Sequence, residues 1–333
     1  MKLNLKSMEY KDTYLLNFFF GCLVEQPIKF DYTFTNLKDI DGQQAHVFFE
    51  LFNDQECFAL EKQFIDFNCL ENKQKIGHNF RACANTGYLR IIHPSFDSND
   101  SYVYTEQVNS FMQYFVAYLL TFYQRRRVIF GCPKLTSGER IILAMPPFLA
   151  GEFVDSIGYG EPLIPYSATH ECLTKAISTY TNFNDIEKKH IKMLLMRYNE
   201  TLNLPYSYER VEAFWRIIEA LGDIQNFSQE ENQEYDRIKA VIGTRKSGTL
   251  KKFIKTLIEH GLTYTDDEIK DSFDFRNKTT HEYLNPIIVQ EPYLPSVFRF
   301  LNICIELVIL SILKIDRHHY VEPSYSLIQN RVL

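Results

Sequence analysis

This sequence lacks any pair of cysteines arranged as a metal or redox motif. The 333 residues include seven cysteines, no two of which are spaced as Cys-x-x-Cys. Zinc knuckles and dithiol redox centres need such paired spacing. An odd, dispersed set of cysteines is instead typical of reduced thiols, so we expect a cytoplasmic protein.

Long hydrophobic runs are also scarce. The apolar stretches 15–24 and 300–315 are both shorter than the ~20 residues of a membrane span. Acidic residues precede the first stretch, where a signal peptide carries basic ones, and Asn302 and Glu306 interrupt the second. We therefore predict that both are buried segments and that the protein has no membrane anchor.

An excess of positive charge is lacking as well, because Lys and Arg number 36 against 42 Asp and Glu, for a net charge of -6. Bulk charge of this sign does not attract nucleic acid, which argues against a general nucleic-acid coat protein. A negative net charge is nevertheless compatible with a local basic patch. The content of 45% hydrophobic and 23% charged residues is typical of a soluble globular chain, and the length suggests two domains.

The pattern of apolar and turn-forming residues in the sequence changes near residue 160. Before it, short apolar and aromatic segments alternate with turn residues, which predicts a strand-rich α+β domain interrupted by one helix over 106–124. Strands are expected over 28–34, 46–52, 57–64, 88–92 and 141–145. Two glycines and two prolines between residues 158 and 165 indicate a boundary, so we predict domains at 1–160 and 161–333.

Beyond this boundary, apolar residues recur at helical spacing, which predicts an all-α bundle. Helices are expected over 186–198, 211–221, 249–260, 265–284 and 295–315. Thr265 is expected to cap the fourth helix, and Gly261 to follow the end of the third. The last helix is apolar on nearly every side, which predicts a position inside the bundle.

The fourth helix carries a group of polar residues suited to phosphate chemistry, namely Arg276, Asn277 and His281. On an α-helix Asn277 and His281 are ~40° apart on one face, and Arg276 lies ~7.5 Å from His281 along the axis. The long Arg276 side chain can fold back toward the same phosphate. Arginine offers donors suited to phosphate, and histidine, with a reference pKa of ~6.5, can accept and return a proton.

Together these groups suit cleavage of RNA by its own ribose 2′-hydroxyl. A base removes the 2′ proton, a cation stabilises the phosphorane and an acid protonates the leaving 5′ oxygen. This chemistry needs no metal and no cofactor, and no cluster of carboxylate, His or Cys ligands predicts a metal site. In a purely structural alternative, Arg276 pairs with a nearby carboxylate and His281 caps the helix end. The nearby carboxylates are Asp271, Asp274 and Glu282.

The segment Arg276-Asn277-Lys278-Thr279-Thr280-His281 resembles the signature of the HEPN superfamily, the higher eukaryotes and prokaryotes nucleotide-binding domain. It is especially similar to the HEPN domains of ApeA-type and abortive-infection proteins. The resemblance covers roughly the last half of the chain, including the helices before and after the motif, and leaves residues 1–160 unassigned. It implies an α-helical HEPN-like bundle in which Arg276, Asn277 and His281 are catalytic.

From this resemblance we expect a metal-independent endoribonuclease that acts as an effector in phage defence or as a toxin. Active HEPN proteins usually work as dimers in which two motifs face each other, so a homodimer through the helical domain is implied. A phage-derived or cellular trigger, or an antitoxin, would be a further partner, and residues 1–160 would sense, regulate or target. The alternative function is a non-catalytic HEPN-like module that binds a nucleotide or a partner.

A local basic patch lies in the approach to the motif. It consists of Arg237, Lys239, Arg245, Lys246, Lys251, Lys252 and Lys255. We take Arg245, Lys246, Lys251 and Lys252 as the candidate RNA-binding residues, because a row of cations can hold RNA phosphates. A solvated helix face is the alternative interpretation.

Glu219 and Tyr283 complete the candidate residues. Glu219 matches an acidic position found on an earlier helix of some HEPN domains, and a structural salt bridge is its alternative role. Arg276, His281 and Tyr283 together resemble the Arg-x-x-x-x-His-x-Tyr form of HEPN toxins, in which a partner nucleotidyltransferase modifies the tyrosine. Tyr283 is therefore a possible regulatory residue, with a partly buried bundle tyrosine as the alternative.

Overall fold

The computed structural model of this chain describes two compact units, formed by residues 1–158 with 164–185 and by residues 159–163 with 186–333. The described residues are 13–20, 27–38, 42–52, 85–92, 107–125 without 109, 129–130, 134–137, 140–144, 162–202, 204, 207–222, 227–243, 247–281 and 294–323. An α+β unit therefore precedes a helical one, which confirms the predicted fold class at this level.

Among the described residues, seven strands form one antiparallel sheet in the first unit. They are β1 (Thr13–Phe20), β2 (Ile28–Lys38), β3 (Gln44–Phe52), β4 (Asn85–Ile92), β5 (Ile129–Phe130), β6 (Lys134–Ser137) and β7 (Arg140–Ala144). Their order is β2-β3-β4-β1-β6-β7, and β5 pairs with β1 beyond the end of β6. Four predicted strands are confirmed as β2, β3, β4 and β7, whereas the one expected over 57–64 lies outside the described residues.

Buried and more exposed residues alternate along β2, and this alternation shows which face of the sheet is buried. Phe30, Tyr32 and Phe34 are buried, whereas the residues between them are exposed or half-buried. Side chains of a strand point to opposite faces in turn, so these three aromatic rings share one face. Tyr32 stacks on Phe111 of the following helical segment, with ring centroids 4.2 Å apart. The buried face of the sheet is therefore the one that helices cover.

Two helices pack on this face. α1 (Ala117–Gln124) continues a π-helical turn at Met112–Val116, so the helix predicted in this region is confirmed within the described residues. Phe115 in that turn stacks on Tyr180 of α2 (Thr169–Thr181), with 3.9 Å between ring centroids. Aromatic contacts therefore hold α2 to the first unit.

The position of α2 moves the boundary between the units. Tyr123 of α1 donates a hydrogen bond to the carbonyl of Cys172 in α2 at 3.0 Å, and its own carbonyl accepts one from Ile164 at 3.1 Å. Residues 164–185 belong to the first unit, so the main boundary lies later than the predicted position after residue 160. The glycines and prolines before α2 predict a boundary there, but the packing of α2 decides which unit it joins.

Six helices form the described part of the second unit. They are α3 (Asp185–Leu202), α4 (Ser207–Leu221), α5 (Gln229–Ile242), α6 (Gly248–Glu259), α7 (Asp266–His281) and α8 (Leu294–Ile312). Five of them confirm the helices expected from the sequence, whereas α5, like α2, has no counterpart among those expectations. A capping box between Ser228 and Glu231 starts α5, and this Ser-x-x-Glu spacing is the local signal for it.

Caps fix the turn that leads from α6 into α7. Oγ1 of Thr265 accepts a hydrogen bond from the Glu268 amide at 3.2 Å, and Oε2 of Glu268 accepts one from the Thr265 amide at 2.8 Å. Gly261 follows α6 with a φ of 57°, and the Leu262 amide donates back to the carbonyl of Leu257 at 2.8 Å. Both predicted caps are confirmed, and they set where α7 begins.

α8 is the core helix of the second unit. In the part of the chain that the structure describes, it is the one helix long and apolar enough to cross a membrane, and most of it is buried inside the protein. Glu306 in its middle is fully buried. Its carboxylate accepts hydrogen bonds from Tyr198 at 2.7 Å, Asn302 at 3.0 Å and Tyr320 at 2.8 Å. The prediction of a buried core helix is confirmed.

The segment after α8 closes the second unit. Arg317 donates to the carbonyl of Gly261 at 2.9 Å, just after the end of α6. The Val321 amide donates to the carbonyl of Leu163 at 2.9 Å. Leu163 is fully buried and belongs to the short piece 159–163 that begins this unit. The beginning and the end of the unit's described chain therefore lie side by side.

Candidate active site

α7 carries Arg276, Asn277 and His281 on one continuous helix, described over Asp266–His281. Helical backbone keeps Arg276 and His281 ~7.5 Å apart along the axis, as the sequence predicts. Four of the predicted groups lie outside the described residues, namely the side chain of His281 and all of Tyr283, Arg245 and Lys246. The geometry of the site is therefore given by Arg276 and its neighbours.

A carboxylate from another helix holds the guanidinium of Arg276. Nε and Nη2 of Arg276 donate to Oε1 of Glu219 on α4 at 3.3 and 3.2 Å. The two side chains are 25% and 29% exposed, so solvent reaches both and weakens the ion pair. The salt bridge expected as an alternative for Glu219 is confirmed, and its partner is the arginine of the motif.

Two further oxygen atoms lie near the same guanidinium. Nη2 is 3.4 Å from Oγ1 of Thr249, at the start of α6, and Nη1 is 3.5 Å from Oδ1 of Asn277. Both distances are at the long limit for a hydrogen bond, so these contacts orient the guanidinium only weakly. Side chains from α4, α6 and α7 nevertheless meet at Arg276. Sequence reasoning does not find Thr249, because no local pattern connects it to a residue 27 positions later.

A buried hydrogen bond sets how α4 and α7 lie against each other. Nε1 of Trp215 on α4 donates to the carbonyl of Ser272 on α7 at 3.0 Å, and both residues are buried. Glu219 follows Trp215 by four residues, and Arg276 follows Ser272 by four. The two helices therefore run side by side in the same direction here, with cross-links one turn apart. The buried bond fixes the register in which the partly exposed ion pair between Arg276 and Glu219 forms.

A glycine brings the end of α4 against α6. A Cβ atom added to Gly222 would lie 2.5 Å from the carbonyl oxygen of Lys252 and 2.7 Å from its Cα. Only a residue without a side chain permits this approach of one helix end to the backbone of another. Gly222 thus allows Glu219 and Thr249, on these two helices, to reach the same guanidinium.

The basic patch predicted before the motif is partly neutralised by its own neighbours. Arg237 pairs with Glu234 at 2.7 Å and with Asp266 at 2.8 Å. Lys255 is buried and pairs with Glu259 at 3.4 Å. Hydrogen bonds from Arg237 lower the pKa of Glu234, which keeps that carboxylate charged. Arg237 and Lys255 therefore contribute less to an RNA-binding surface than the sequence suggests.

Lys251 and Lys252 lie half-buried on α6, close to the site. Nζ of Lys251 is 4.7 Å from the ring centroid of Phe227 and 5.3 Å from that of Tyr235. These cation–π contacts hold the ammonium group near the surface without cancelling its charge. Both lysines stay candidates for RNA contact. Within the described ranges, no group of three or more His, Cys, Asp or Glu side chains is placed to hold a metal ion.

Comparisons with known proteins do not identify a family for this chain. No family model, no curated protein and no solved structure matches it. The similarity to HEPN domains therefore rests on the motif of α7 and on the order of the helices around it, and HEPN membership stays a hypothesis.

Proposed function

We propose that the second unit is a metal-independent endoribonuclease of the HEPN type, acting as an effector in phage defence or as a toxin. One observation carries this proposal. α7 presents a partly exposed arginine, contacted from two other helices, less than one and a half turns before a histidine. A fixed cation beside a group that titrates near neutrality is what attack by a ribose 2′-hydroxyl requires.

In the proposed reaction, His281 takes the proton of the 2′-hydroxyl and Arg276 binds the non-bridging phosphate oxygens. The 2′ oxygen bonds to phosphorus while the bond from phosphorus to the 5′ oxygen breaks. A protonated histidine returns a proton to that 5′ oxygen, so the products are a 2′,3′-cyclic phosphate and a 5′-hydroxyl. Asn277, one turn before His281, orients the imidazole.

Glu219 has two effects on this chemistry. It keeps the guanidinium in place before substrate arrives, because it accepts from both Nε and Nη2 of Arg276. It also competes with the phosphate, because both are anions that bind the same donors. Substrate must displace Glu219 or share the guanidinium with it, so the free protein holds its arginine in a partly neutralised state.

The remaining assignments follow the same proposal. Lys251 and Lys252 contact RNA phosphates from α6, the helix whose Thr249 lies 3.4 Å from Arg276. Arg245 and Lys246, just before α6, extend this contact. The first unit senses a trigger or restrains the nuclease, and the protein acts in the cytoplasm as a homodimer.

Cleavage in the absence of metal tests the proposal. The purified chain should cut RNA in excess EDTA and leave 2′,3′-cyclic phosphate ends, and His281→Ala should lose about 10²–10⁴-fold in rate. His318→Ala is the matched control, because His318 is 64% exposed and lies outside α7. Strict dependence on magnesium, or equal loss in both variants, would refute the mechanism.

A non-catalytic nucleotide- or partner-binding module is the second candidate function. The ion pair between Arg276 and Glu219 favours it, because that pair gives the arginine a structural partner without any substrate. In this case the wild-type chain binds RNA or a nucleotide but does not cut RNA. Binding would then be weakened by Arg276→Ala and left unchanged by His281→Ala, which separates the two functions.

A further inference from the structure

A row of alternating charges runs along α4 beside the candidate site. Glu212, Arg216 and Glu219 follow one another at intervals of four and three residues, which places them on one face of the helix. Arg276 of α7 extends this row, because its Nε and Nη2 donate to Oε1 of Glu219. Two carboxylates and two guanidiniums therefore alternate along the row, and their charges cancel.

Each carboxylate of this row is held by one arginine in the free protein. Nη2 of Arg216 donates to Oε1 of Glu212, and Arg276 holds Glu219. Glu212 precedes Arg216 by four residues, and an acidic residue four positions before a basic one is the more favourable order on a helix. The Arg216 side chain is 76% exposed, so its guanidinium can move without disturbing the core.

Arg216 and Glu219 each keep hydrogen-bonding groups unused. Among the described residues, none forms a hydrogen bond with Nε or Nη1 of Arg216, and none forms one with Oε2 of Glu219. Residues three apart on a helix have Cβ atoms about 5–6 Å from each other, and helical side chains lean over the turn before them. Glu219 thus leans over the turn that carries Arg216. A change of side-chain torsions is enough to bring the two groups together, without any movement of α4.

The same spacing forms an ion pair elsewhere in the second unit. Arg197 of α3 precedes Glu200 by three residues, as Arg216 precedes Glu219, and Nη1 of Arg197 lies 2.8 Å from Oε2 of Glu200. Both side chains of this pair are more than half exposed, so it forms without buried surroundings. An arginine on an exposed helix face of this protein can therefore hold a glutamate three residues later.

We propose that Arg216 is a positioning residue that takes over Glu219 when a phosphate of the substrate binds Arg276. The phosphate replaces the Glu219 carboxylate on the donors of Arg276, since both anions bind the same groups. Without a new partner, Glu219 would repel this phosphate, because like charges a few ångström apart repel each other. Arg216 offsets the repulsion by donating to Oε2 of Glu219 from Nε or Nη1. Its guanidinium carries five N–H donors, so it can hold Glu212 at the same time.

The exchange rests on the proposed function, in which Arg276 binds a phosphate of RNA. It couples the entry of the substrate to the neutralisation of Glu219. When the product leaves, Glu219 returns to Arg276 and again holds its guanidinium in place. Arg216 touches no reacting atom in this scheme, and it acts on the phosphate through Glu219 alone.

A double-mutant cycle between Arg216 and Glu219 tests the exchange. The full chain carries His281→Ala so that the substrate stays uncut, and anisotropy of a fluorescent single-stranded RNA gives the Kd. Arg216→Gln should raise this Kd about two- to fivefold when Glu219 is present, which is the range for an exposed ion pair. In a Glu219→Gln background, the same substitution should raise the Kd no more than a control substitution does.

Arg197→Gln is the matched control, because it removes the same charge from an exposed arginine that also pairs with a glutamate. It measures how much the loss of any positive charge on this surface weakens RNA binding. Arg216→Lys keeps the charge and should restore the Kd to within about twofold of the value with Arg216. Fluorescence of the buried Trp215 verifies that each variant is folded.

Two results of the cycle overturn the exchange. The first is equal weakening by Arg216→Gln in both Glu219 backgrounds, because Arg216 then contacts the RNA directly. The second is weakening by Arg216→Gln that does not exceed the weakening by Arg197→Gln when Glu219 is present.

RNA cleavage by the chain with His281 intact separates the exchange from the proposed function. Coupling between Arg216 and Glu219 in a chain that binds RNA but cuts none supports the exchange and refutes the nuclease. A chain that cuts RNA without such coupling supports the nuclease and overturns the exchange. A chain that binds no RNA overturns both.

Discussion

Replacing Gly222 by alanine tests the packing that brings Glu219 and Thr249 to Arg276. The added Cβ would lie 2.5 Å from the carbonyl oxygen of Lys252, against at least 3.4 Å for ordinary contact, so α4 and α6 must separate by about 0.9 Å. The opposing atoms are helix backbone and cannot rotate away. Overpacking costs about 1–3 kcal/mol, and the rigid neighbour places this variant near the upper value, at about 3 kcal/mol.

Trp215 makes the assay selective for the second unit. It is the single tryptophan of the chain and lies buried on α4, so its fluorescence reports the unfolding of that unit. For a denaturant slope of about 2 kcal/mol per molar urea, a loss of about 3 kcal/mol lowers the midpoint by about 1.5 M. A displacement near 1 Å at the site should also lower any RNA cleavage by up to about 100-fold.

Gly248→Ala is the matched control for this variant. Gly248 is the first residue of α6, and no atom lies within 4 Å of a Cβ placed on it. Its replacement should leave stability unchanged or raise it by up to about 1 kcal/mol, since alanine restricts the unfolded chain. If Gly222→Ala is as stable as the wild type to within about 0.5 kcal/mol, α4 and α6 do not approach as described.

Three further variants probe the site and its support. Glu219→Gln keeps a hydrogen-bonding group but removes the competing charge. In a His281→Ala background it should therefore tighten RNA binding about two- to fivefold, measured by fluorescence anisotropy. Unchanged or weaker binding contradicts competition between Glu219 and the phosphate. Tyr320→Phe removes a donor to the buried Glu306 and should cost about 1–3 kcal/mol in a urea melt; a loss below about 0.5 kcal/mol refutes the role of that bond. Burial lowers the pKa of His260 in the folded chain. Below pH ~6.5 the unfolded chain therefore binds more protons than the folded one. The free energy of unfolding then falls as the pH drops toward the lowered pKa of the folded state. His260→Gln should make the free energy of unfolding depend less steeply on pH. The test is a series of Trp215-monitored melts between pH 7.5 and 5, roughly the range in which histidine titrates. Equal pH dependence in the variant and the wild type would contradict this role of His260.

Local patterns predict the elements that carry the motif. Thr265 followed by Glu268 defines the start of α7, and Gly261 defines the end of α6, because each cap depends on residues within one turn. The alternation of buried residues along β2 follows in the same way from the period of a strand. The helical placement of Arg276 and His281 could therefore be predicted from the sequence.

Contacts between distant elements could not be predicted in this way. The approach of Thr249 to Arg276 depends on how α4, α6 and α7 pack together, and the missing side chain of Gly222 permits the close approach of α4 to α6. The membership of α2 in the first unit depends on contacts with residues far earlier in the chain, such as those of Tyr180 with Phe115 and of Cys172 with Tyr123. Contacts of this kind depend on three-dimensional packing, which cannot be read from the spacing of residues along a sequence.

The hydrogen bond from Val321 to Leu163 has a consequence for the order in which the protein is made. A chain leaves the ribosome from its amino end, so Leu163 emerges long before Val321, the residue that binds it. The first unit consists of residues up to 185, so all of its chain has emerged while synthesis of the second unit continues. The second unit closes only when residue 321 has emerged. If this unit cuts RNA, the fold that holds its site is completed only after residue 321 has emerged, later than the residues of the site themselves.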